Sequence, residues 1–248
     1  MKIPTITRPS KELIKALAEV GTATISGEMS KLGITDPYIC GPVPMTGGKE
    51  VQTIAGPALT LQFLPKRKDV YDIDEYDDPE AQMHRQVLYQ VEEGDVVVVD
   101  ARGDMRSGIF GEMMVTYMAG RGGAGLIVDG CIRDSRKAIA TGLPMWVRGT
   151  TPNFHTQTSM FPHAVNVPIS CGGVLVMPGD IIVADADGAI TVPVSFAERA
   201  LDVASKHAEW EDFSRFKLAQ GGDLRKYYPL HETAREEYQA WCNENAHK

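Results

Sequence analysis

The pattern of apolar and polar positions predicts helices first, then parallel strands, then short antiparallel strands. Residues 10–32 carry apolar side chains at helical spacing after Ser10, a suitable N-cap, which predicts one or two short helices. Residues 54–64 alternate β-branched and other apolar side chains, which predicts a strand. The chain therefore opens with helices that lead into a sheet.

The middle of the chain alternates amphipathic segments with short apolar runs. Three segments predict helices: 81–92, 111–121 and 133–141. Three apolar runs predict strands: 95–100 (DVVVVD), 125–129 (GLIVD) and 144–147. Runs without alternation are typical of strands buried on both faces, as in a parallel sheet covered by helices.

Later strands are short, and Gly-Asp and Asp-Gly pairs separate them, so we expect the sheet to become mixed or antiparallel. They are predicted at 165–167, 173–177, 180–184 and 189–192, with hairpin turns at Gly179-Asp180 and Asp187-Gly188. A long helix is predicted from Ser195 to about Gln220, and the aromatic tail after it is expected to pack on the protein.

These elements predict an α/β fold in one domain covering residues 1–248. Its core spans about 10–220, and 221–248 forms a C-terminal extension. No repeat, low-complexity tract or linker divides the chain. The acidic run at 69–80 is expected to be a solvated loop or a lid.

Composition narrows the classes of function. The chain has 33 Asp and Glu against 25 Lys and Arg, a formal net charge of −8, which argues against nucleic-acid binding. No apolar run approaches the roughly 20 residues of a membrane helix, and the first residues lack the features of a signal peptide. The four cysteines have no zinc or redox spacing. We expect a cytoplasmic protein that binds neither nucleic acid nor membrane.

Two loops are candidates for chemistry because each follows a buried strand and precedes a helix. They are 101–111 (ARGDMRSGIFG) and 130–134 (GCIRD), and loops after parallel strands converge at one edge of the sheet. The helix that begins near Gly111 offers unpaired N–H groups to an anion. A nucleotide loop is disfavoured because Ile109-Phe110 stands where Lys-Ser or Lys-Thr is required. Ordinary turn glycines before a helix are the alternative.

Arg133-Asp134 places a cation and a hard oxygen ligand side by side at the end of a strand. One carboxylate with several waters is a common way to hold Mg²⁺. The alternative is a helix start, with Asp134 as N-cap and Arg133 solvated or in an ion pair. The six histidines have no ligand spacing, so we expect them to be structural.

The runs VVVVDARGD, GEMM, GGAGLIVDGCIRD and CGGVLVMPGDIIVADADG resemble the superfamily of 4-hydroxy-4-methyl-2-oxoglutarate aldolases, which includes the regulator of ribonuclease E activity, type A. The resemblance covers roughly residues 10–220. It implies a swivelling β/β/α domain with a mixed sheet, N-terminal helices and a long C-terminal helix. It also implies a homotrimer or homohexamer with active sites between neighbouring subunits.

The resemblance assigns roles to residues at these loops. The position matching Asp134 holds magnesium or manganese, and the position matching Arg133 contacts the keto oxygen of the substrate. The α-keto carboxylate is held by the backbone N–H groups of four consecutive residues: Gly111, Glu112, Met113 and Met114. The side chain matching Glu112 orients a water at the metal. An acidic residue of a neighbour's long helix assists, and Glu209 or Glu211 is its counterpart here.

The implied activity is that of a divalent-metal-dependent lyase that cleaves the C3–C4 bond of an α-keto acid. It would release pyruvate from a 4-hydroxy-2-oxo acid, or decarboxylate oxaloacetate. Glu112 stands where these aldolases usually have Asp, and the chain has a longer acidic segment and tail, which leaves the substrate open. The regulator branch generally lacks the Arg-Asp pair, so its presence here favours an enzyme. A non-enzymatic ribonuclease regulator, and another metal-dependent reaction on keto or hydroxy acids, remain as alternatives.

Overall fold

A computed structural model describes residues 3–71 and 78–245, without the side chains of Thr156, Ala208 and Glu209. Part of the acidic run at 69–80 therefore lies outside the described residues. Within the described ranges, no helix has both the length and the apolar character that crossing a membrane requires.

Two helices form the N-terminal layer, as predicted. They are α1 (Lys11–Val20) and α2 (Thr22–Lys31). Ser10 caps α1, because its hydroxyl accepts the backbone N–H of Leu13 at 3.2 Å. Gly21 separates the helices with φ 84°, a left-handed conformation that glycine adopts without strain.

The main sheet has eight strands, in the order β1-β5-β4-β3-β2-β9-β10, with β6 also paired to β2. The strands are β1 (Val43–Pro44), β2 (Ile54–Pro65), β3 (Val96–Gly108), β4 (Gly125–Ile132), β5 (Met145–Thr150), β6 (Met160–Val165), β7 (Ile169–Cys171), β8 (Val174–Val176), β9 (Ile181–Ala184) and β10 (Ala189–Val192). Strands β2 to β5 are parallel to one another, and the other pairings are antiparallel. Strands β7 and β8 form a separate hairpin. The mixed sheet is therefore confirmed.

The remaining helices cover the sheet and extend the C-terminus. They are α3 (Met83–Tyr89), α4 (Glu112–Gly120), α5 (Ser135–Ala140), α6 (Val194–Ala219), α7 (Leu224–Tyr227) and α8 (Arg235–Asn245), with 3-10 turns at Pro79–Ala81, His155–Gln157 and Glu232–Ala234. Helices α4 and α5 pack against each other, which places the ends of β3 and β4 side by side.

The central strands are buried on both faces. Val97 and Val99 pack into one apolar cluster, and Val96 and Val98 pack into the cluster on the opposite face. All four side chains are inaccessible to solvent. Burying each contributes on the order of 1.5 kcal/mol or more, so the sheet is the main source of stability and fixes the strand ends.

Three predictions about local structure were wrong. Residues 101–108 continue strand β3 instead of forming a loop, because a bulge absorbs Arg102 and Gly103 in left-handed conformations (φ 57° and 68°) and pairing then resumes. Gly179-Asp180 is a turn but not a hairpin, since β8 pairs with β7 while β9 pairs with β2. The strand predicted at 165–167 lies earlier, at β6, where Pro162 sits beside a register shift that tolerates proline.

The C-terminal extension packs on α6, as expected from its aromatic residues. Phe213 of α6 is fully buried, and three aromatic rings of the extension lie within 6 Å of its ring: Tyr227, Tyr238 and Trp241. The carboxylate of Glu237 forms ion pairs with Lys217 at 2.7 Å and with Lys226 at 2.5 Å. Hydrogen bonds from Lys217, Lys226 and Tyr227 lower the pKa of Glu237 to about 2.

Candidate active site

The ends of β3 and β4 meet, as the convergence of the two loops predicts. The N–H of Ile109 donates to the carbonyl of Cys131 at 2.9 Å, and the N–H of Arg133 donates to the carbonyl of Phe110 at 2.9 Å. These bonds tie the segment before α4 to the segment before α5. The residues singled out in the two loops are therefore neighbours in space.

Gly111 lies next to the side chains of Arg133 and Asp134. A β-carbon at position 111 would come within 2.7 Å of Asp134 Oδ2 and 3.0 Å of Arg133 Nε. Any other residue at 111 would push the Asp134 carboxylate away, since real β-carbons essentially never approach another atom within 3.0 Å, and Arg133 would have to move by a few tenths of an ångström. Gly111 has φ −120°, so the requirement for glycine here is one of space.

Asp134 has an unusual backbone conformation for a non-glycine residue, with φ 56° and ψ 36°. It precedes α5, but its side chain accepts no capping hydrogen bond from that helix. Its carboxylate instead lies 3.7 Å from Arg133 Nε, and 43% of the side chain is exposed. Asp134 thus starts the helix by position, while its carboxylate remains available to a ligand.

The Arg133 side chain is held between backbone and an aromatic ring. Its Cβ would lie 3.0 Å from a β-carbon at Gly108, so glycine there lets the arginine lie close to β3. The guanidinium carbon lies 5.7 Å from the centre of the Phe154 ring, within cation–π range. These contacts restrict the guanidinium to the region next to Asp134.

Glu112 is the first residue of α4, and its carboxylate forms an ion pair with Lys137 of α5, with 3.1 Å between Oε2 and Nζ. Met114 donates its N–H to the carbonyl of Gly111, which is the first bond of the helix. The N–H groups of Glu112 and Met113 precede that bond and point out of the helix start. The Met113 side chain is mostly exposed.

Of the two acidic residues predicted to act from the long helix, Glu209 and Glu211, only Glu211 has a described side chain. Glu209 has no described side chain, so it lies outside what the structure describes. Glu211 accepts a hydrogen bond from Nε2 of His207 at 3.1 Å, and Nδ1 of the same ring contacts Glu28 at 2.6 Å. Helix α6 packs on α1 and α2, so within one chain Glu211 belongs to that contact.

The described residues contain no group of three or more His, Cys, Asp or Glu side chains close enough to hold a metal ion. Asp134, with Glu112 on the adjacent helix, still fits Mg²⁺ or Mn²⁺, because such ions often take one or two carboxylates and complete their shell with water and substrate oxygens. An open cleft of about 540 Å³ lies beside Asp134 and is lined also by Lys137, Thr150 and Thr151, but not by Gly111, Glu112 or Arg133.

Other buried polar groups lie nearby but do not compete for this role. Asp100 and Asp129 are buried on the opposite face of the sheet, where Asp129 pairs with Arg148. Burial raises the pKa of Asp100. Burial, together with the nearby Asp104 carboxylate, raises the pKa of the Cys131 thiol, so Cys131 stays protonated at neutral pH. It is therefore no candidate nucleophile.

No sequence pattern indicates two neighbours of the candidate site, Phe154 and Lys137. Phe154 lies in an irregular segment, and nothing local to it indicates contact with Arg133. Lys137 stands on a different helix from Glu112, and the two residues are 25 positions apart in the chain. Opposite charges on the two helices that follow the loops, α4 and α5, are the pattern that would have indicated Lys137.

Comparison with known proteins places this geometry in a family context. A family model described as RraA-like (Aldolase/RraA) matches residues 22–191. A Halalkalibacterium halodurans protein named "Putative 4-hydroxy-4-methyl-2-oxoglutarate aldolase" is 43% identical over 119 residues. That match covers 48% of this chain and 56% of the relative, so the chain spans little more than half the length of this relative.

Solved structures extend the similarity over more of the chain. Streptomyces coelicolor RraAS2, described as an unusual member of the RNase ES inhibitor RraA protein family, is 42% identical, with a TM-score of 0.76 over 84% of this chain and 98% of its own. A Pseudomonas syringae protein of uncharacterized function is 22% identical, with a TM-score of 0.76 over 93% of this chain and 100% of its own. The latter likeness bears on the fold alone.

Proposed function

The chain belongs to the RraA-like family (Aldolase/RraA), and from that premise we propose that it is a divalent-metal-dependent carbon–carbon lyase acting on α-keto acids. The reaction is cleavage of the C3–C4 bond, either of a 4-hydroxy-2-oxo acid with release of pyruvate or of oxaloacetate with release of carbon dioxide. One observation carries the proposal: Arg133 and Asp134 lie against Gly111 at the start of α4, next to Glu112.

The start of α4 receives the carboxylate of the substrate. The N–H groups of Glu112 and Met113 and the positive end of the helix dipole attract it. Gly111 leaves the space that such a close approach requires. With the carboxylate there, the C2 oxygen lies toward Arg133 and Asp134.

Asp134 is the residue that would hold Mg²⁺ or Mn²⁺, with Glu112 close by. When bound, the ion supplies a Lewis acid that polarises the C2 carbonyl. The carboxylate of Asp134 suits this role because it is exposed and caps no helix.

Arg133 stabilises the negative charge that develops on the C2 oxygen as the C3–C4 bond breaks. Its guanidinium already lies over the Phe154 ring, and Gly108 leaves space for the start of the side chain, so little reorganisation is needed during the reaction. In the retro-aldol reaction, Glu112 positions a water that takes the proton of the C4 hydroxyl. The C3–C4 electron pair moves into the enolate, C4 becomes a carbonyl, and the proton is returned to C3 to give pyruvate.

A second function, inhibition of a ribonuclease, is favoured by one observation. The similar Streptomyces coelicolor protein is described as a member of an RNase ES inhibitor family, and the match covers nearly all of that chain. Such a regulator needs no turnover, so the two functions separate in a simple assay.

The assay measures pyruvate release from oxaloacetate and from 4-hydroxy-4-methyl-2-oxoglutarate, with Mg²⁺ or Mn²⁺ and with chelator. A lyase releases pyruvate with metal and stops when chelator is added. Absence of turnover on both substrates, together with inhibition of an RNase E-type enzyme, would establish the regulator instead.

A further inference from the structure

We infer that Lys137 is a positioning residue that holds the Glu112 carboxylate for proton transfer at the C4 hydroxyl, an inference that rests on the proposed function. Lys137 is the third residue of the six-residue helix α5, and its Nζ is 3.1 Å from Glu112 Oε2. The contact joins the two helices that begin at the two loops of the candidate site.

Lys137 is also tied to the residue proposed to hold the metal. Its backbone N–H donates to the carbonyl of Asp134 at 3.0 Å, in the first turn of α5. The same residue therefore fixes Asp134 through its backbone and Glu112 through its side chain. A change in the length or charge of the Lys137 side chain affects the ion pair with Glu112 and leaves the backbone hydrogen bond to Asp134 in place.

Glu112 needs such a partner because its carboxylate is at the end of a flexible chain with three rotatable bonds. Only 28% of the Glu112 side chain is exposed, and the ion pair occupies Oε2. In the proposed reaction, Oε1 is the oxygen that would accept from water. Proton transfer depends steeply on such placement, since misplacing a catalytic group by about 1 Å costs up to about 100-fold in rate.

The ion pair contributes little to folding, which makes the inference testable. The Lys137 side chain is 70% exposed, and ion pairs between exposed groups contribute about 0–1 kcal/mol to stability. Lys206 is a control matched in the exposure of the lysine, because its side chain is 69% exposed and forms an ion pair with Asp202 on α6, whose side chain is 65% exposed. Replacing either lysine by methionine keeps the aliphatic stem and removes one charge.

Two reactions distinguish positioning of Glu112 from a general effect on the site. Retro-aldol cleavage of 4-hydroxy-4-methyl-2-oxoglutarate removes a proton from the C4 hydroxyl as the bond breaks. Decarboxylation of oxaloacetate has no such proton, and its enolate takes a proton from solvent water at C3 only after carbon dioxide has left. We expect Lys137→Met to lower kcat of the retro-aldol reaction about tenfold, with KM unchanged and oxaloacetate decarboxylation nearly unchanged. Lys137→Arg restores most of the retro-aldol rate, and Lys206→Met changes neither reaction.

A measurement on the metal-free protein tests the contact itself. The ¹³C signal of the Glu112 side-chain carboxyl, assigned by its loss in Glu112→Gln, is expected to shift in Lys137→Met but not in Lys206→Met. An unshifted signal, or equal loss of both reactions in Lys137→Met, overturns the inference. If the wild-type protein releases pyruvate from neither substrate, it is the proposed function that fails, and the ¹³C signal alone then decides whether Lys137 holds Glu112.

Discussion

The carboxylate of Asp134 lies so close to Gly111 that a β-carbon at position 111 would be 2.7 Å from Oδ2. The two residues belong to different loops, one after β3 and one after β4, and the strand pairing brings them together. Absence of a side chain at 111 is thus a condition for the position of the carboxylate. Gly111, which follows β3, therefore belongs to the same candidate site as Asp134, which follows β4.

Gly111→Ala is expected to reduce kcat/KM about 100-fold in the pyruvate-release assay with little loss of stability. The added methyl group displaces the Asp134 carboxylate and the Arg133 side chain, but its nearest contacts are side-chain atoms and not backbone, and φ −120° suits alanine. The control is Gly120→Ala at the other end of α4, where a β-carbon meets nothing within 4 Å. Equal activity of the two variants would show that the space over Gly111 is not used.

Asp134→Asn is expected to abolish metal-dependent turnover while the melting temperature changes by less than about 2 °C. Asparagine has the same shape and tolerates the left-handed conformation at φ 56°. It lacks the charge that holds a divalent cation. Binding of Mn²⁺, followed by the electron paramagnetic resonance signal of the free ion, checks the cause. A variant that binds Mn²⁺ and turns over like wild type would reduce Asp134 to the start of a helix.

Arg133→Lys keeps a positive charge but loses the planar guanidinium that lies over Phe154. Loss of one preorganised donor to a developing oxyanion costs about 10²–10³ in turnover, roughly 2.7–4 kcal/mol. We therefore expect kcat on both substrates to fall by that factor. Circular dichroism and the melting temperature verify that the variant is folded, and near-full activity of a folded Arg133→Ala variant would contradict the mechanism.

The central strands and the turn before α5 could be predicted because their signals are local. Four consecutive valines at 96–99 indicate a strand buried on both faces, and this is where both apolar clusters form. The continuation of β3 past Arg102 and Gly103 could not be predicted in this way, since polar residues and glycine indicate a turn and only pairing with β4 keeps the strand intact. Local patterns carry no information about a partner strand.

The residues of the candidate site could be proposed from the sequence, but their arrangement could not. The Arg133-Asp134 pair and the start of α4 could be identified from motifs and from the rule that parallel strands end at one edge. The left-handed conformation of Asp134 and the Lys137–Glu112 ion pair could not, because both depend on how α5 packs against α4. Whether α6 of a neighbouring subunit contributes Glu209 or Glu211 depends on assembly. Light scattering checks the assembly, with an expected mass of three or six times 27.1 kDa.

The last prediction concerns how the C-terminal extension depends on pH. Hydrogen bonds from Lys217, Lys226 and Tyr227 lower the pKa of Glu237 to about 2, against an ordinary value of 4.5. Because the folded protein holds this carboxylate ionised, the contribution to stability is complete above about pH 5 and is lost as the pH falls through 4.5 toward 2. Glu237→Gln removes the charge at every pH and leaves two lysines facing a neutral group.

We therefore expect Glu237→Gln to lower the melting temperature at pH 7, and the difference from wild type to shrink steadily between about pH 4.5 and 2. Glu236→Gln is the matched control, since Glu236 is the neighbouring exposed carboxylate on α8 and forms no ion pair with a described residue. The near-ultraviolet circular dichroism of the aromatic rings around Phe213 reports directly on whether the extension stays packed on α6, and its loss marks detachment. A melting-temperature difference that stays constant down to pH 2 would mean that the charge of Glu237 does not hold the extension on α6.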